Sequence, residues 1–174
     1  MTVPTRRPRS LGGRCDARVT AADDALLRIV SWQELDALVA RLAGSVGRDF
    51  DLVLAITRGG LVPAGMLAYR LDLREILVAG VVFYRADGST FDAPQFGQFP
   101  EPALLHGRRV LVVDEVWETG ETMVAVVDRV RAAGGIPTTA VIHYKPGRSR
   151  GGLAPDQFAD LADGWIAYPY KAGG

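Results

Sequence analysis

Two adjacent carboxylates precede a turn rich in hydroxyl groups near the middle of the chain. Asp114 and Glu115 directly follow the apolar run 110–113, and residues 119–122 are Thr-Gly-Glu-Thr. A continuous apolar run predicts a buried strand of a parallel sheet, and open α/β sheets bind ligands at the carboxyl ends of their strands. Carboxylates can hold sugar hydroxyls or a metal, and the amides of a helix N-terminus bind anions. The combination suggests a site for a ribose 5-phosphate.

Asp114 and Glu115 are expected to point in different directions. Adjacent residues of an extended chain face opposite sides, so one acid can face a sugar while the other meets a hydroxyl or a metal-bound water. Mg²⁺ keeps several waters and takes few carboxylates, so either acid would bind it indirectly. The alternative is that both are solvated residues at a strand end, and the turn that follows them favours the ligand site.

A second glycine turn follows another apolar run. Residues 51–56 predict a buried strand, and residues 57–60 are Thr-Arg-Gly-Gly. One guanidinium group can bind two phosphate oxygens at once, so a turn with Arg58 and Gly59 suits a pyrophosphate. Glycine turns after strands are common, so this turn alone is weak evidence for a ligand site. It becomes informative because a second predicted anion turn occurs in the same chain.

Three further residues each admit two interpretations. Glu118 could act as a general acid or base on a ring nitrogen, or could be a capping carboxylate favoured by the helix dipole. Lys145 ends a predicted strand, where it is solvated or donates to a ligand carbonyl. Trp165 stacks on a heterocycle or fills the edge of a core. His106 and His143 share no ligand spacing, so no metal is assigned to them.

Composition excludes several classes of protein. The chain has 174 residues, 48% of them hydrophobic and 23% charged, with a formal net charge of zero. These values indicate one globular domain and no global attraction to nucleic acid or membranes. The sequence contains no Walker motif, and no G-x-G-x-x-G follows a predicted strand, which argues against a dinucleotide-binding fold. Residues 1–28 are interpreted as a flexible N-terminal extension that holds the one cysteine, Cys15, and the pattern favours a reducing, cytoplasmic setting.

Residues 29–174 are predicted to form a single α/β domain with a largely parallel sheet. Ser31 and Glu34 form a capping box for a helix that Gly44 ends. The further predicted elements are strands 51–56, 76–84, 109–113 and 138–144 and helices 61–71 and 121–133. Residues 85–107 show no sustained periodicity, which is typical of a functional lid or a flexible segment.

Over about residues 30–170 the chain resembles the type I phosphoribosyltransferases, which bind phosphoribosyl pyrophosphate. The resemblance rests on the segment 110–122, on Ile56-Thr-Arg-Gly-Gly-Leu-Val-Pro63, on Lys145-Pro146 and on the closing Gly164-Trp165-Ile166. It is most similar to the branch that acts on xanthine, guanine and hypoxanthine. The resemblance implies a central, largely parallel sheet flanked by helices, a lid loop at about 85–107 and a small C-terminal hood at about 147–174.

The resemblance also implies a role for each site residue. The ribose hydroxyls and Mg²⁺ would be held by Asp114 and Glu115, which count with Glu118 as catalytic. The 5′-phosphate would lie on the turn that runs from Glu118 through Thr119, Gly120, Glu121 and Thr122. Pyrophosphate would bind Arg58 and Gly59, in a turn that often has a cis peptide bond. A purine would contact Lys145, Trp165 and Ile166.

The implied reaction transfers ribose 5-phosphate to a 6-oxopurine in a homodimer or tetramer. Two alternatives stay open: transfer to a different base, and a non-catalytic regulator that binds phosphoribosyl pyrophosphate or RNA. Beyond the N-terminal arginines no basic cluster indicates RNA. The chain departs from the branch at Glu118, where Asp is usual, and in the order Asp-Glu of its acidic pair.

Overall fold

The computed structural model of the protein describes residues 27–84 and 90–171. Most of the predicted N-terminal extension, with Cys15, lies outside the described residues, as do residues 85–89 of the predicted lid. Arg28, the last residue assigned to that extension, already belongs to a strand. Within the described ranges, no helix is both long enough and apolar enough to cross a membrane.

Among the described residues, a six-stranded sheet forms the centre of the domain, and it is largely parallel as predicted. Its strand order is β4-β3-β2-β5-β6-β7, and every neighbouring pair is parallel except β3 and β4. A separate parallel pair joins β1 to β8. The strands are β1 (Arg28–Ile29), β2 (Leu52–Thr57), β3 (Ile76–Tyr84), β4 (Thr90–Gln98), β5 (Arg109–Trp117), β6 (Ile136–Tyr144), β7 (Gln157–Leu161) and β8 (Ile166–Ala167).

Three helices cover the two faces of this sheet, and each face has its own core. The helices are α1 (Trp32–Val46), α2 (Leu61–Leu71) and α3 (Glu121–Ala132). Leu111 and Val113 of β5 pack with α1 and α2, whereas Val110 and Val112 pack with α3. This alternation follows from the two-residue period of a strand, which turns a continuous apolar run into two buried faces.

Helix α1 begins as predicted but ends later. The Ser31 hydroxyl accepts a hydrogen bond from the Glu34 N–H at 3.1 Å. The Glu34 carboxylate bonds to the Arg28 guanidinium at 2.8 Å, so its charge connects α1 to β1. The helix passes Gly44 and ends at Val46, because Gly47 adopts the positive φ of 75° that closes it.

The sheet is wider than the sequence pattern indicates. Part of the predicted lid, residues 90–98, forms edge strand β4, and part of the predicted hood, residues 157–161, forms β7. Pro94 interrupts the apolar pattern of β4, and proline is tolerated there because an edge strand has one unpaired side. Strand β5 continues four residues beyond the predicted end at Val113, so Asp114 and Glu115 lie within it.

Candidate functional site at the switch point of the sheet

The two predicted anion turns lie at the carboxyl ends of neighbouring strands. Strands β2 and β5 pair in parallel, and α2 and α3 leave them toward opposite faces of the sheet. The chain therefore winds in opposite directions from this pair, which makes it the topological switch point where open α/β sheets bind ligands. The structure brings residues 57–60 and 118–122 to this one place.

The first turn lies tightly against the sheet. The Thr57–Arg58 peptide bond is cis, as the resemblance implies, and the Arg58 side chain is exposed. A Cβ on Gly60 would lie 2.5 Å from the Val113 carbonyl oxygen and 2.6 Å from that of Ile56, so only glycine fits. This close approach holds the turn against the ends of β2 and β5.

The second turn leaves the N-terminus of α3 open. Gly120 is the N-cap with φ 87°, and no side chain caps the helix. A Cβ on Gly120 would lie 2.6 Å from the Trp117 ring, so that indole packs beneath the turn. Trp117 is held in turn by a 3.0 Å hydrogen bond from its Nε1 to the Ser149 hydroxyl. The amides of the first helical turn can bind an anion, although the Glu121 N–H already donates to the Thr119 hydroxyl at 3.4 Å.

A cleft of about 300 Å³ opens above this turn. Asp114, Trp117, Arg150 and residues 118–122, which include Thr119, Gly120 and Thr122, contribute to its walls. One acid of the predicted pair therefore faces the same space as the phosphate turn. A carboxyl group and a helix N-terminus therefore line one cavity.

The Asp114 carboxylate has an unusual electrostatic environment. Its Oδ1 accepts a hydrogen bond from the Glu115 N–H at 2.8 Å. Desolvation, and after it the charge of Glu115, raises the pKa of Asp114 to about 8. A ligand that brings positive charge to the cleft would favour the ionised form of Asp114.

Glu115 turns away from the cleft and is buried. Tyr170 donates its hydroxyl to Oε2 at 2.8 Å, and the Lys171 ammonium pairs with Oε1. The carboxylate also lies directly over Gly59, since a Cβ there would be 2.1 Å from the Glu115 Cδ. The opposite directions expected for adjacent strand residues are confirmed, and the buried acid contacts the pyrophosphate turn.

Glu118 and Lys145 meet at the other end of the cleft. The Lys145 Nζ donates to Glu118 Oε1 at 3.2 Å, and Arg148 donates to the same oxygen at 2.7 Å. The Lys145 backbone N–H also bonds to the Trp117 carbonyl at 2.9 Å, which fixes the end of β6 beside β5. A carboxylate that can accept a proton and a buried ammonium that can donate to a carbonyl are therefore adjacent.

Glu121 is tied to the turn by local contacts. Its carboxylate pairs with the Arg150 guanidinium and accepts a hydrogen bond from the Thr119 hydroxyl at 3.3 Å. The Arg150 backbone N–H bonds to the Thr119 carbonyl at 3.1 Å. The segment after β6 thus closes one side of the phosphate turn.

Trp165 and Ile166 lie at the small β1–β8 sheet. The Trp165 side chain is half exposed, whereas that of Ile166 is buried in the core shared with α1 and α2. The backbone N–H of Arg28 donates to the Trp165 carbonyl and that of Val30 to the Ala167 carbonyl, both at 2.9 Å. In a parallel ladder the intervening residue directs its own N–H and C=O away from the partner strand. The backbone of Ile166 is therefore available on the side away from β1.

Several site residues were missed by the sequence analysis. They are Trp117, Arg148, Arg150, Tyr170 and Lys171. The two arginines had a visible signal, since they follow Lys145 within a short basic run at a strand end. Nothing in the local pattern indicated the residues of the C-terminal tail, because their contacts are with strands far away in the sequence.

Within the described ranges, no group of three or more His, Cys, Asp or Glu side chains is arranged to hold a metal ion. Asp114 is the acid of the predicted pair that lines the cleft. Mg²⁺ commonly binds through one or two carboxylates together with substrate phosphates and waters. The donor set fits a Mg²⁺ that arrives with a phosphorylated substrate rather than one held by a protein cage.

The chain is similar to known proteins over most of its length. Residues 27–161 match the model of the phosphoribosyl transferase domain. Xanthine-guanine phosphoribosyltransferase from Idiomarina loihiensis is 30% identical over 144 residues, with 81% of this chain and 84% of the relative covered. The enzyme of the same description from Chromohalobacter salexigens is 31% identical over 147 residues, with 83% of each covered.

A solved structure shows the same fold. The purine phosphoribosyltransferase from Pyrococcus horikoshii has a TM-score of 0.72 and 26% identity, with 85% of this chain and 95% of that chain covered. The chain belongs to the phosphoribosyltransferase family, and it has the type I fold. The named relatives with about 30% identity are xanthine-guanine phosphoribosyltransferases.

Proposed function

We propose that this protein transfers ribose 5-phosphate from phosphoribosyl pyrophosphate to a 6-oxopurine and releases pyrophosphate. The observation that carries the proposal is the meeting of three groups at one switch point. These groups are an open helix N-terminus for the 5′-phosphate, the Arg58 turn for pyrophosphate and the Lys145–Glu118 pair for the base. The similarity to xanthine-guanine phosphoribosyltransferases supports the choice of a purine.

The sugar phosphate would bind along the cleft. The amides and hydroxyls of residues 119–122 would hold the 5′-phosphate, and Asp114 would accept hydrogen bonds from the ribose hydroxyls. The exposed guanidinium of Arg58 and the backbone of Gly59 would bind pyrophosphate at the neighbouring turn. The two ends of phosphoribosyl pyrophosphate would thus bind to different turns, and C1 of the ribose would lie between them.

The base would displace an existing ion pair. In the free protein the Lys145 ammonium donates to Glu118. A purine with an oxygen at C6 offers Lys145 a second acceptor, which would release the carboxylate toward a ring nitrogen. Trp165 would stack on the ring, and the outward N–H and C=O of Ile166 would bind its edge.

The reaction is a displacement at C1 of the ribose. The ring nitrogen forms the new bond to C1, the C1–O bond breaks, and its electron pair leaves with pyrophosphate. Glu118 accepts the proton from the ring nitrogen. Positive charge develops on the sugar in the transition state, as in other glycosyl transfers, and the acids of the cleft stabilise it.

A divalent cation fits this scheme through Asp114. When bound with the substrate, Mg²⁺ would screen the charge of pyrophosphate and improve it as a leaving group. Asp114 would contact the ion directly or through a water, and the other positions would be filled by substrate and water. The lid, the homo-oligomer and the cytoplasmic location stay predictions from the sequence.

The test is pyrophosphate release from phosphoribosyl pyrophosphate and Mg²⁺, with hypoxanthine, guanine, xanthine, adenine, uracil and orotate measured in parallel. Turnover confined to the oxopurines is expected, and Lys145→Ala should raise the KM for those bases selectively. Turnover with adenine or a pyrimidine would assign the enzyme a different acceptor. Tight donor binding without turnover on any base would favour a regulator and refute the proposal.

A further inference from the structure

Both oxygens of the Glu115 carboxylate are already engaged by the C-terminal tail. Tyr170 donates to Oε2 at 2.8 Å, and Lys171 pairs with Oε1. The Glu115 side chain is only 9% exposed, although its neighbour Asp114 lines the cleft. A sugar hydroxyl or a metal ion could reach this buried carboxylate only by displacing its two donors.

The same carboxylate supports the pyrophosphate turn. An added Cβ on Gly59 would lie within 2.1 to 2.3 Å of its Cδ and both oxygens, so the turn is seated directly upon it. The Tyr170 hydroxyl lies 3.4 Å from the Gly59 carbonyl oxygen as well. Glu115 and Tyr170 therefore determine how far the Arg58 turn lies from β5.

The tail itself is anchored from two sides. The Tyr168 hydroxyl donates to the Glu115 carbonyl at 2.9 Å, and the buried His143 ring lies 2.8 Å from the same hydroxyl. The rings of Tyr168 and Tyr170 stack with centroids 5.4 Å apart. The Lys171 ammonium lies 5.7 Å from the Tyr168 ring centroid. Residues 168–171 thus connect β5, β6 and the turn after β2.

We propose that residues 168–171 form a C-terminal clasp that sets the position of the pyrophosphate turn through Glu115. Glu115 is then an internal anchor rather than a ligand of the ribose or the metal, and Tyr170 and Lys171 are positioning residues. The proposal deepens the proposed function, on which its link to pyrophosphate binding rests. The contacts of the clasp can be tested without that function.

The first experiment measures hydrogen exchange of the turn amides in the full chain. The Gly60 N–H bonds to the Ile56 carbonyl at 2.9 Å and the Leu61 N–H to the Arg58 carbonyl at 3.2 Å, so both report on the turn. Lys171→Met should speed their exchange about tenfold, with α3 unchanged and with rescue by Lys171→Arg. Arg70→Met, which removes an ion pair to Asp36 outside the site, is the matched control. Unchanged exchange in Lys171→Met would overturn the clasp.

The second experiment titrates the same variants with phosphoribosyl pyrophosphate and Mg²⁺, and separately with pyrophosphate, by calorimetry. Lys171→Met should weaken binding of both about 10- to 100-fold, by analogy with the loss of an outer contact that orients a metal ligand. Wild-type protein that binds neither compound would refute the proposed function, whereas the exchange experiment would still decide the clasp.

A double-mutant cycle tests whether Lys171 acts on the pyrophosphate turn through Glu115. Because Lys171 is proposed to act through Glu115, Glu115→Gln combined with Lys171→Met should lose no more affinity than the stronger single change. Asp114→Asn should weaken binding without altering the exchange of the turn, and Glu115→Gln should alter both. Additive losses in the cycle, or weaker binding by Glu115→Gln with unchanged exchange, would overturn the role of Glu115 as an anchor.

Discussion

Two networks of carboxylates and cations lie on opposite sides of β5, and they differ in their exposure to water. On the cleft side, Glu118 and Arg148 are 39% and 48% exposed, and Glu121 with its partner Arg150 is similarly open. On the clasp side, Glu115 is 9% exposed, whereas its partner Lys171 is 50% exposed. Glu115 belongs to β5 itself, whereas Glu118 follows the end of the strand and Glu121 begins α3, so the two networks are supplied by neighbouring segments of one stretch of chain.

The difference in burial indicates a difference in task. An exposed ion pair contributes at most about 1 kcal/mol, so a ligand can exchange it for its own contacts. Glu115 itself is buried, so loss of one of its donors would cost about 1 to 3 kcal/mol, and its contacts therefore hold their geometry. The cleft side therefore suits binding and chemistry, and the clasp side suits positioning. Changes on the two sides should separate into effects on turnover and effects on stability.

The largest effect is expected on the cleft side, from Glu118→Gln. Loss of the proposed base should lower kcat about 100- to 10,000-fold, while the free energy of unfolding should fall by no more than about 1 kcal/mol, because an amide oxygen can still accept from the buried Lys145 ammonium. Single-turnover kinetics and denaturant titration measure the two quantities. Affinity for phosphoribosyl pyrophosphate reduced as much as kcat would remove Glu118 as the base.

The next effect concerns the pH dependence of stability on the clasp side. The Tyr168 hydroxyl gives its hydrogen to the backbone carbonyl of Glu115, so it can only accept from His143. The neutral His143 ring therefore carries its hydrogen on Nδ1. Its buried Nε2 has no hydrogen-bond partner within the described part of the chain. Burial, with help from nearby cations, lowers the pKa of His143 to about 4. The charged groups that act on His143 are Arg28, Asp160, Glu34 and Lys145.

Between about pH 6.5 and 4 the unfolded chain binds the His143 proton and the native protein does not. Stability therefore rises with pH across this window and falls as pH decreases, by on the order of 3 kcal/mol from this group. Urea titrations of wild type and His143→Asn at pH 7 and pH 4 measure the difference. The same acid loss in both proteins would contradict the assignment.

A smaller effect is expected from Gly59→Ala. The new methyl group would overlap the fixed Glu115 carboxylate, so unfolding should become easier by about 1 to 3 kcal/mol. Gly65→Ala is the matched control: Gly65 lies within α2 and has nothing within 4 Å of an added Cβ, so it should stabilise by about 0.5 to 1 kcal/mol. Equal effects at both sites would show that Glu115 moves freely.

The smallest change in stability is expected from Arg150→Met. Its pair with Glu121 is exposed on both sides, so the free energy of unfolding should change by less than about 1 kcal/mol. Binding of phosphoribosyl pyrophosphate should weaken, because Arg150 lines the cleft and the released Glu121 carboxylate would repel phosphate. A large loss of stability in thermal unfolding would mean that the cleft side also holds the fold together.

The sequence supports prediction unevenly along the chain. The strands β2 and β5 were identifiable because they are continuous apolar runs, and α1 because Ser31 and a helical period mark its start. β4 and β7 were missed because edge strands bury less surface and carry weaker patterns, including Pro94. Helix α1 is longer than predicted, because the helix tolerates Gly44 and ends only where Gly47 takes a positive φ.

By itself, the sequence determined the α/β class, the two anion turns and the acids, hydroxyls and lysine that surround them. These features are local, since each depends on a few consecutive residues and on the period of one strand or helix. The tertiary structure alone decided that Asp114 faces the cleft and Glu115 the clasp, that Lys145 pairs with Glu118, and that Tyr170 and Lys171 reach the acidic pair. Such contacts join residues far apart in the chain, and their partners depend on how strands are ordered in the sheet and on which face each helix covers.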